Sequence, residues 1–316
     1  MHGFHVSKLP ARARDLASAL EKTGYFASED AVLLVYLALE LGRPLLVEGP
    51  AGVGKTELAR SSAAALSRSL IRLQCYEGLD EGKAIYEWDY GKQMLWVQLL
   101  RDAVADKTRD AASLADASSR LDDAGEVFFG EKFLIARPLL AALRSEQPVV
   151  LLIDEVDRAD PEFEAVLLEI LADNQVTLPE LGTIRAKHPP LVVLTTNATR
   201  EMTDALRRRC LHLFLDYPAP SREIAILEAR VPGIAKDLAA QLAAFAEKMR
   251  AMDLRKPPSI SESIDWARAL LTLGASSLAT DEDRELARAT LGVFLKHEED
   301  RERASPVLAA QRSSAT

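Results

Sequence analysis

The chain has 316 residues, 48% of them hydrophobic and 28% charged, which is enough apolar content for one large or two modest folded domains. Its formal net charge of −9 at pH 7 argues against a constitutive nucleic-acid binder, because such a protein would carry a basic surface. No apolar run approaches the roughly 18 residues of a membrane span, and the two cysteines lack disulfide or metal spacing, so we expect a cytoplasmic protein with no membrane span.

The first predicted elements frame a glycine-rich loop. Apolar residues at helical spacing predict helices over residues 12–22 and 28–41. A short apolar strand is predicted over 44–48, after a Gly-Arg-Pro break, and an Ala- and Leu-rich helix runs from 57 to about 66. The strand, the loop and the helix follow in the order that phosphate binding requires.

The loop matches the phosphate-loop pattern G-x-x-x-x-G-K-[ST] at every position. Gly52 and Gly54 allow a tight turn whose N–H groups point at phosphate oxygens. Lys55 is expected to reach the β- and γ-phosphates of ATP, and the hydroxyl of Thr56 to ligate Mg²⁺. The predicted nucleotide-binding segment is Gly49, Pro50, Ala51, Gly52, Val53, Gly54, Lys55, Thr56 and Glu57.

Further strands alternate with helices along the chain, which predicts an α/β fold with a parallel sheet. One strand is a run of five apolar residues, as expected for a strand that is buried on both faces. These strands are predicted over residues 70–75, 149–153, 191–195 and 212–215.

Two irregular pieces interrupt this alternation. About 70 residues separate the second strand from the third, which is long for one crossover, so we predict an insertion over about 84–132 with a helix of its own. Helical patterns at 94–104 and 133–144 flank its polar part. Residues of about 176–186 form two extended arms around a Pro/Gly turn and predict a β-hairpin.

Polar side chains stand where two of the predicted strands end. Asp154 follows the third strand and can hold Mg²⁺ through water. The adjacent Glu155 can polarise a water for attack on the γ-phosphate, which favours hydrolysis over transfer to an alcohol. Asn197 follows the fourth strand and could orient that water or contact the γ-phosphate.

Three arginines, Arg207, Arg208 and Arg209, end the helix before the fifth strand. They could simply complement the negative end of the helix dipole. Alternatively, one of them is an arginine finger, which inserts into a neighbouring subunit's site and stabilises developing phosphate charge.

A composition change after the fifth strand predicts a domain boundary. Asp216-Tyr217-Pro218-Ala219-Pro220 reads as a hinge, and only helical patterns follow it. We therefore predict a nucleotide-binding α/β domain over residues 1–217, an all-α domain over 218–300 and a disordered tail over 301–316.

In this order the phosphate loop, the Asp-Glu strand end, the strand-end Asn and the terminal arginine resemble the AAA+ ATPases over residues 30 to about 290. The insertion and the hairpin look like the MoxR-type branch. Residues 178–183, 206–210 and 216–218 are similar to MoxR-like proteins encoded beside carbon monoxide dehydrogenase. The resemblance implies a P-loop AAA+ parallel sheet sandwiched by helices, with an all-α C-terminal lid domain.

The resemblance also implies roles for single residues and a function. Asn197 becomes sensor 1, and Arg209 the first candidate for the finger, with Arg208 its rival. The family implies ATP hydrolysis with Mg²⁺ in homo-oligomeric rings, usually hexamers. It further implies chaperone-like work, such as cofactor insertion or activation of a client metalloenzyme, often with a partner that has a von Willebrand factor A domain.

Two positions depart from the family pattern or leave it open. The lid of the family usually offers a sensor 2 arginine, but Ser263 stands at that place, and Arg268, more than one turn later, is the best substitute. Phe128-Phe129-Gly130 resembles a substrate-gripping pore loop, although the two aromatic residues could equally pack the insertion onto the core.

Two other readings stay open. Clamp loaders and restriction GTPases use the same fold on nucleic acid, but the acidic charge makes nucleic acid an unexpected partner. An ATP-gated scaffold with slow turnover is the other alternative, which the absent sensor 2 arginine keeps open.

Overall fold

The computed structural model describes residues 9–99, 101, 113, 131–179 and 181–309. Its central strands are β1 (Leu45–Glu48), β2 (Ser69–Gln74), β5 (Val149–Asp154), β8 (Leu191–Thr196) and β9 (Leu211–Phe214). They form one sheet in the order β2-β5-β8-β1-β9, and every neighbouring pair is parallel. The predicted parallel sheet is confirmed, and its carboxyl edge collects the ends of β1, β5 and β8.

Helices cover both faces of the sheet. One face packs on α1 (Ala11–Lys22), α2 (Glu29–Leu41) and α3 (Lys55–Ala65), and the other on α6 (Pro138–Leu143) and α7 (Pro161–Asp173). All six residues of β5 and of β8 are buried, because both of their faces are covered. Helix α8 (Asp204–Arg209) then connects β8 to β9.

The region of the predicted insertion contains small elements in its described part. They are α4 (Glu81–Ala84), β3 (Tyr86–Trp88), α5 (Tyr90–Leu99), a 3-10 turn (Glu131–Phe133) and β4 (Leu134–Ala136). The predicted helix over 133–144 is corrected: its first part is β4, which pairs antiparallel with β3, and α6 starts only at the proline that follows Arg137. The proposed pore loop, Phe128-Phe129-Gly130, lies outside the described residues.

A second antiparallel pair stands where the sequence predicts a hairpin. Strands β6 (Gln175–Leu178) and β7 (Gly182–Arg185) pair from Gln175 with Arg185 to Leu178 with Gly182. Asn174, in the left-handed conformation at φ 50°, ends α7 and turns the chain into this hairpin.

The C-terminal region is helical and has its own core. Its helices are α9 (Pro220–Arg230), α10 (Lys236–Arg250), α11 (Ile260–Thr272), α12 (Asp281–Ala289), α13 (Leu291–Phe294) and α14 (Glu298–Ala309). Trp266 stacks on Phe294 with ring centroids 4.7 Å apart, and Phe245 packs against both. Of the helices described here, none combines the length and the hydropathy that crossing a membrane requires.

Helix α14 corrects the prediction of a disordered tail from residue 301. Ala304 and Leu308, four residues apart on one helix face, are fully buried in the C-terminal core. The carboxylate of Asp300 accepts the N–H groups of Arg255 and Lys256 at 2.9 and 3.2 Å. The sequence did not predict this helix because it has few apolar residues and an internal proline, Pro306.

Candidate active site

The phosphate loop connects β1 to α3, and two of its positions favour glycine. Gly52 has φ 75°, and a Cβ added there would stand 2.4 Å from Oγ of Ser259, the residue before α11. Gly54, at φ 97°, is the N-cap of α3. The helical region therefore rests directly on the loop, and the N-terminus of α3 faces the same space.

Lys55 is buried in this loop, with 7% of its surface exposed. Its Nζ donates to the carbonyl oxygens of Gly49 and Pro50 at 2.6 and 2.7 Å, and to Oδ1 of Asn197 at 2.8 Å. Burial lowers the pKa of Lys55, and the carboxylates of Asp157, Asp154 and Glu155 oppose that shift. The three N–H donors of the ammonium group are therefore all taken by protein oxygens beside the loop, and a phosphate oxygen would have to replace one of these acceptors.

Asp154 and Thr56 offer oxygen ligands to a cation. The hydroxyl of Thr56 lies 3.0 Å from Oδ1 of Asp154, and that same oxygen accepts the hydroxyl of the buried Thr195 at 2.6 Å. Mg²⁺ prefers such hard oxygen ligands and needs only one or two from the protein, since it keeps waters and phosphate oxygens. These side chains therefore fit the predicted Mg²⁺ site.

Two side chains of β2 reach the same carboxylates. Arg72 donates to Oδ2 of Asp154 through Nη2 at 2.6 Å and Nε at 3.1 Å. Gln74 donates to Oε2 of Glu155 at 3.0 Å and accepts from Arg72. In this structure the edge strand β2 therefore contacts the carboxylates of both Asp154 and Glu155.

Glu155 occupies a left-handed backbone position at φ 56° and ψ 50°. Its N–H donates to Oγ1 of Thr195 at 2.9 Å, and its carboxylate also pairs with Nε of Arg158 at 3.1 Å. This conformation turns the chain at the end of β5 and places Glu155 on the rim of the site, with about a third of its side chain exposed.

Asn197 lies beside them at the end of β8. Its side-chain oxygen contacts Lys55, and its N–H donates to Oδ2 of Asp157 at 3.3 Å. One cavity of about 290 Å³ brings the predicted residues together; Lys55, Thr56, Glu57, Asp154, Glu155 and Asn197 all line it.

An adjoining cavity of about 320 Å³ lies between the sheet domain and the helical region and has both apolar and charged walls. Tyr25 stands at its base with its hydroxyl 3.4 Å from the carbonyl of Gly54, and burial raises the pKa of that hydroxyl above its ordinary value. An apolar pocket next to a phosphate loop suits a planar base. Its walls include Tyr25, Phe26, Val53, Pro218, Ile260 and Ile264.

The lid arginine of the sequence analysis lies on the rim of this second cavity. Arg268 donates to the carbonyl of Arg230 at 3.1 Å and is 3.8 Å from Asp265, but it does not line the cavity around Lys55. Ser263 is buried and donates to Glu223 at 2.7 Å, so its side chain belongs to the helical core. Arg268 as a sensor 2 substitute stays a prediction.

The arginines of α8 do not line either cavity of their own chain. Nη1 of Arg209 donates to the carbonyl of Leu168 at 2.9 Å. The side chain of Arg208 is exposed and makes no hydrogen bond or ion pair within the described residues. The backbone carbonyls of both arginines accept from Arg43, which fixes the end of α8.

Sequence reasoning missed the residues that hold the site together. They are Thr195, Asp157, Arg72 and Gln74, and they bind Asp154, Glu155 or Asn197. A weak signal exists for three of them: Thr195 is polar within a buried strand, and Arg72 and Gln74 alternate on one face of an edge strand. Asp157 carries no such signal.

Comparison with known proteins agrees with this geometry. A family model described as the AAA domain of the dynein-related subfamily matches residues 44–210. The chain is 26% identical to the gas vesicle ATPase GvpN of Ancylobacter aquaticus over 257 residues, 78% of this chain and 65% of that protein. It is 23% identical to the protein NorQ of Paracoccus denitrificans over 281 residues, 86% of this chain and 88% of NorQ.

Two further matches are partial. The chain is 29% identical to the chaperone protein ClpB 2 of Thermosynechococcus vestitus over 216 residues, 63% of this chain and only 20% of that protein. The Thermotoga maritima RuvB Holliday junction branch migration motor aligns with a TM-score of 0.47 and 15% identity over 86% of this chain and 68% of RuvB. Since the family model spans more than half of the chain, the chain belongs to the dynein-related subfamily of AAA domains, and its resemblance to the MoxR-type AAA+ ATPases is confirmed.

Proposed function

We propose that this protein binds ATP with Mg²⁺ and hydrolyses it as one subunit of a ring that remodels or matures a client protein in the cytoplasm. The observation that carries the proposal is the single cavity that joins Lys55, Thr56, Asp154, Glu155 and Asn197. The family match supports an ATPase, and the client and the ring rest on the resemblance alone.

Phosphate binding falls to the loop and to Lys55. Residues of the loop and the first turn of α3 line the cavity, where backbone N–H groups at a helix N-terminus would bind phosphate oxygens. The Lys55 ammonium would exchange at least one of its three protein acceptors for a phosphate oxygen. Thr56 and Asp154 would hold Mg²⁺, which supplies charge neutralisation on the β- and γ-phosphates when bound.

Glu155 is the group we assign to proton removal from the attacking water. Its carboxylate is on the rim of the cavity, is partly exposed and has no part in the Thr56–Asp154 pair. Gln74 and Arg158 both contact Oε2, so Oε1 would be the oxygen that accepts the hydrogen bond from the water. Asn197 would orient that water or the γ-phosphate through the amide that now contacts Lys55.

The finger is proposed to come from a neighbouring subunit. Within the part of the chain that the structure describes, no arginine lines the cavity around Lys55, whereas Arg208 and Arg209 project from α8. An arginine finger is worth roughly 10³ to 10⁵ in turnover, so a chain without one in its own site would be slow alone. A homo-oligomeric ring, in the family usually a hexamer, would complete each site.

Glu155→Gln tests the hydrolytic part of the proposal. The amide keeps the size of the side chain but cannot take a proton, so ATP turnover should fall at least about a hundredfold while nucleotide binding persists. Glu162→Gln, an exposed position on α7, is the matched control and should keep full turnover. Equal turnover in Glu155→Gln and wild type would overturn the assignment.

Light scattering with and without ATP tests the ring. We expect an ATP-stabilised oligomer and strongly reduced turnover in Arg208→Ala or Arg209→Ala. A monomer that hydrolyses as fast after both substitutions would refute the trans finger.

The Glu155→Gln variant, which should stay bound to ATP, is then the bait for a client metalloenzyme or a partner with a von Willebrand factor A domain. Stimulation of turnover by DNA would favour the nucleic-acid alternative. Turnover that stays slow in the assembled ring would favour the scaffold.

A further inference from the structure

Glu164 is a buried carboxylate that the proposed reaction does not use. It lies on α7, its side chain has 1% exposure, and its Oε1 pairs with Nη2 of Arg200 at 2.6 Å. Its Oε2 accepts the N–H of Thr203 at 2.9 Å and the hydroxyl of Thr203 at 2.7 Å. A buried carboxylate with one ionic partner and two further hydrogen-bond donors holds those partners in place, because losing it would leave them unpaired.

Thr203 is the N-cap residue of α8, directly before its first residue, Asp204. A threonine at this position ordinarily caps its own helix with its hydroxyl, but here it makes no such cap, and the hydroxyl donates to Glu164 instead. The carboxylate of α7 therefore holds the N-cap residue itself and places a negative charge near the positive end of α8. At the other end of α8, Nη1 of Arg209 donates to the carbonyl of Leu168 on the same helix α7. Both ends of the arginine-bearing helix are thus held by α7.

The loop that leads from Asn197 into α8 is held by the end of β5. Asp157 accepts the N–H of Asn197, and also the N–H and hydroxyl of Thr199 at 3.0 and 2.6 Å. Nη2 of Arg200 also donates to the carbonyl of Ala159 at 2.9 Å. A continuous set of polar contacts therefore runs from the cavity to the start of α8, and Glu164 is its last member.

We propose that Glu164 is a positioning residue, which sets the place of α8 so that its arginines reach the phosphate site of the neighbouring subunit. The inference rests on the proposed function, since it needs a finger that acts between chains. Without the carboxylate, Arg200 loses its ionic partner, and the N–H and hydroxyl of Thr203 lose the one oxygen that accepts them both. The start of α8 is then free to shift. A misplacement of about 1 Å costs on the order of a hundredfold in rate.

The variants are chosen to separate position from folding. Glu164→Ala removes the carboxylate, and Glu164→Gln keeps one oxygen for Thr203 but loses the charge. Thr203→Val, at an exposed position, removes only the hydroxyl and should not endanger the fold. Glu169→Ala, exposed on the same helix α7, is the matched control. Thermal melting and binding of a fluorescent ADP check that each variant folds and keeps its own pocket.

Turnover of each variant alone gives the first result. We expect a loss of about a hundredfold for Glu164→Ala, smaller losses for Glu164→Gln and Thr203→Val, and no loss for Glu169→Ala. Unchanged turnover in folded Glu164→Ala or, if that variant does not fold, in Thr203→Val would overturn the inference.

Mixing with Glu155→Gln chains gives the decisive result. A Glu155→Gln chain cannot hydrolyse but presents a correct α8, so it should restore turnover at the intact site of a neighbouring Glu164→Ala or Thr203→Val chain. If these mixtures stay inactive while a mixture with Arg208→Ala or Arg209→Ala recovers, Glu164 acts on its own site and the inference is wrong. If none of the mixtures recovers, the trans finger of the proposed function fails instead.

Discussion

Asp157 shows how a single side chain outside the reacting groups can hold the site together. It is buried in the 3-10 turn after β5 and joins that turn to the loop after β8 by accepting three hydrogen bonds. Burial alone would raise the pKa of Asp157, but the hydrogen bonds from Thr199 and from the N–H of Asn197 outweigh burial and lower it. The ionised form is therefore the one that stabilises the fold.

Asp157→Asn tests this at the residue scale through the pH dependence of stability. Because the folded state lowers the pKa, the stabilisation is complete above the ordinary value of 3.8 and is lost as the pH falls through the folded-state pKa. The substitution should cost about 1.5–3 kcal/mol of unfolding free energy near neutral pH. Urea denaturation at a series of pH values should show this gap narrowing below pH 3.8. A gap that stays constant into acid would contradict the account.

Whether a residue's place in the site can be predicted depends on how far apart in the sequence it and its partners are. That Lys55, Thr56, Asp154 and Glu155 meet at one cavity was predictable, because each stands in a local pattern next to a strand end. The contacts of Arg72 with Asp154 and of Asp157 with Asn197 join residues 82 and 40 positions apart, which no local pattern encodes. These partners depend on which strands are neighbours in the sheet.

At the scale of elements, burial decides what the sequence reveals. The strands β5 and β8 were predictable because both of their faces are covered, so nearly every residue is apolar. The three-residue strand β4 was missed because it is mostly exposed and runs into an apolar helix. Helix α14 was missed because only two of its 12 residues, Ala304 and Leu308, are hydrophobic residues buried in the core.

Leu308→Ala tests whether α14 is part of the folded helical region. Leu308 is fully buried, so its truncation should lower the unfolding free energy by about 2–4 kcal/mol, measured by urea denaturation. Glu302→Ala, on the exposed side of the same helix, is the control and should change stability by less than about 0.5 kcal/mol. If the two variants were equally stable, residues 301–309 would not be part of the folded core, and the prediction of a disordered tail would hold for them.

At the scale of the whole molecule, the nucleotide site depends on contacts between the sheet domain and the helical region. Ser259 rests on Gly52, and Arg230 of α9 pairs with Glu57 of α3 beside the cavity. Glu57 also pairs with Arg60 of its own helix at 3.5 Å. The carboxylate of Glu57 therefore has one partner in the helical region and one on its own helix, so the effect of the cross-domain pair can be compared with that of the local pair.

Arg230→Ala should loosen the helical region over the nucleotide. The Arg230–Glu57 pair is about a third exposed, so its loss should weaken nucleotide binding by only two- to fivefold, or about 0.5–1 kcal/mol. Titration with a fluorescent ADP measures the change, and limited proteolysis should find the lid more susceptible. Arg60→Ala removes the local pair and should leave affinity unchanged. An equal loss in both variants would mean that the cross-domain pair has no special role.

The left-handed backbone of Glu155 sets fold stability and catalysis against each other at one position. Glycine or asparagine would occupy φ 56° with less strain, whereas a glutamate there costs roughly 1 kcal/mol or more. The residue to which we assign proton removal is thus one that the local backbone disfavours. Substitutions selected only for thermal stability should therefore accumulate at this position and abolish turnover. We expect such a variant to be more stable than the wild type and, at the same time, to keep its ATP bound without hydrolysing it.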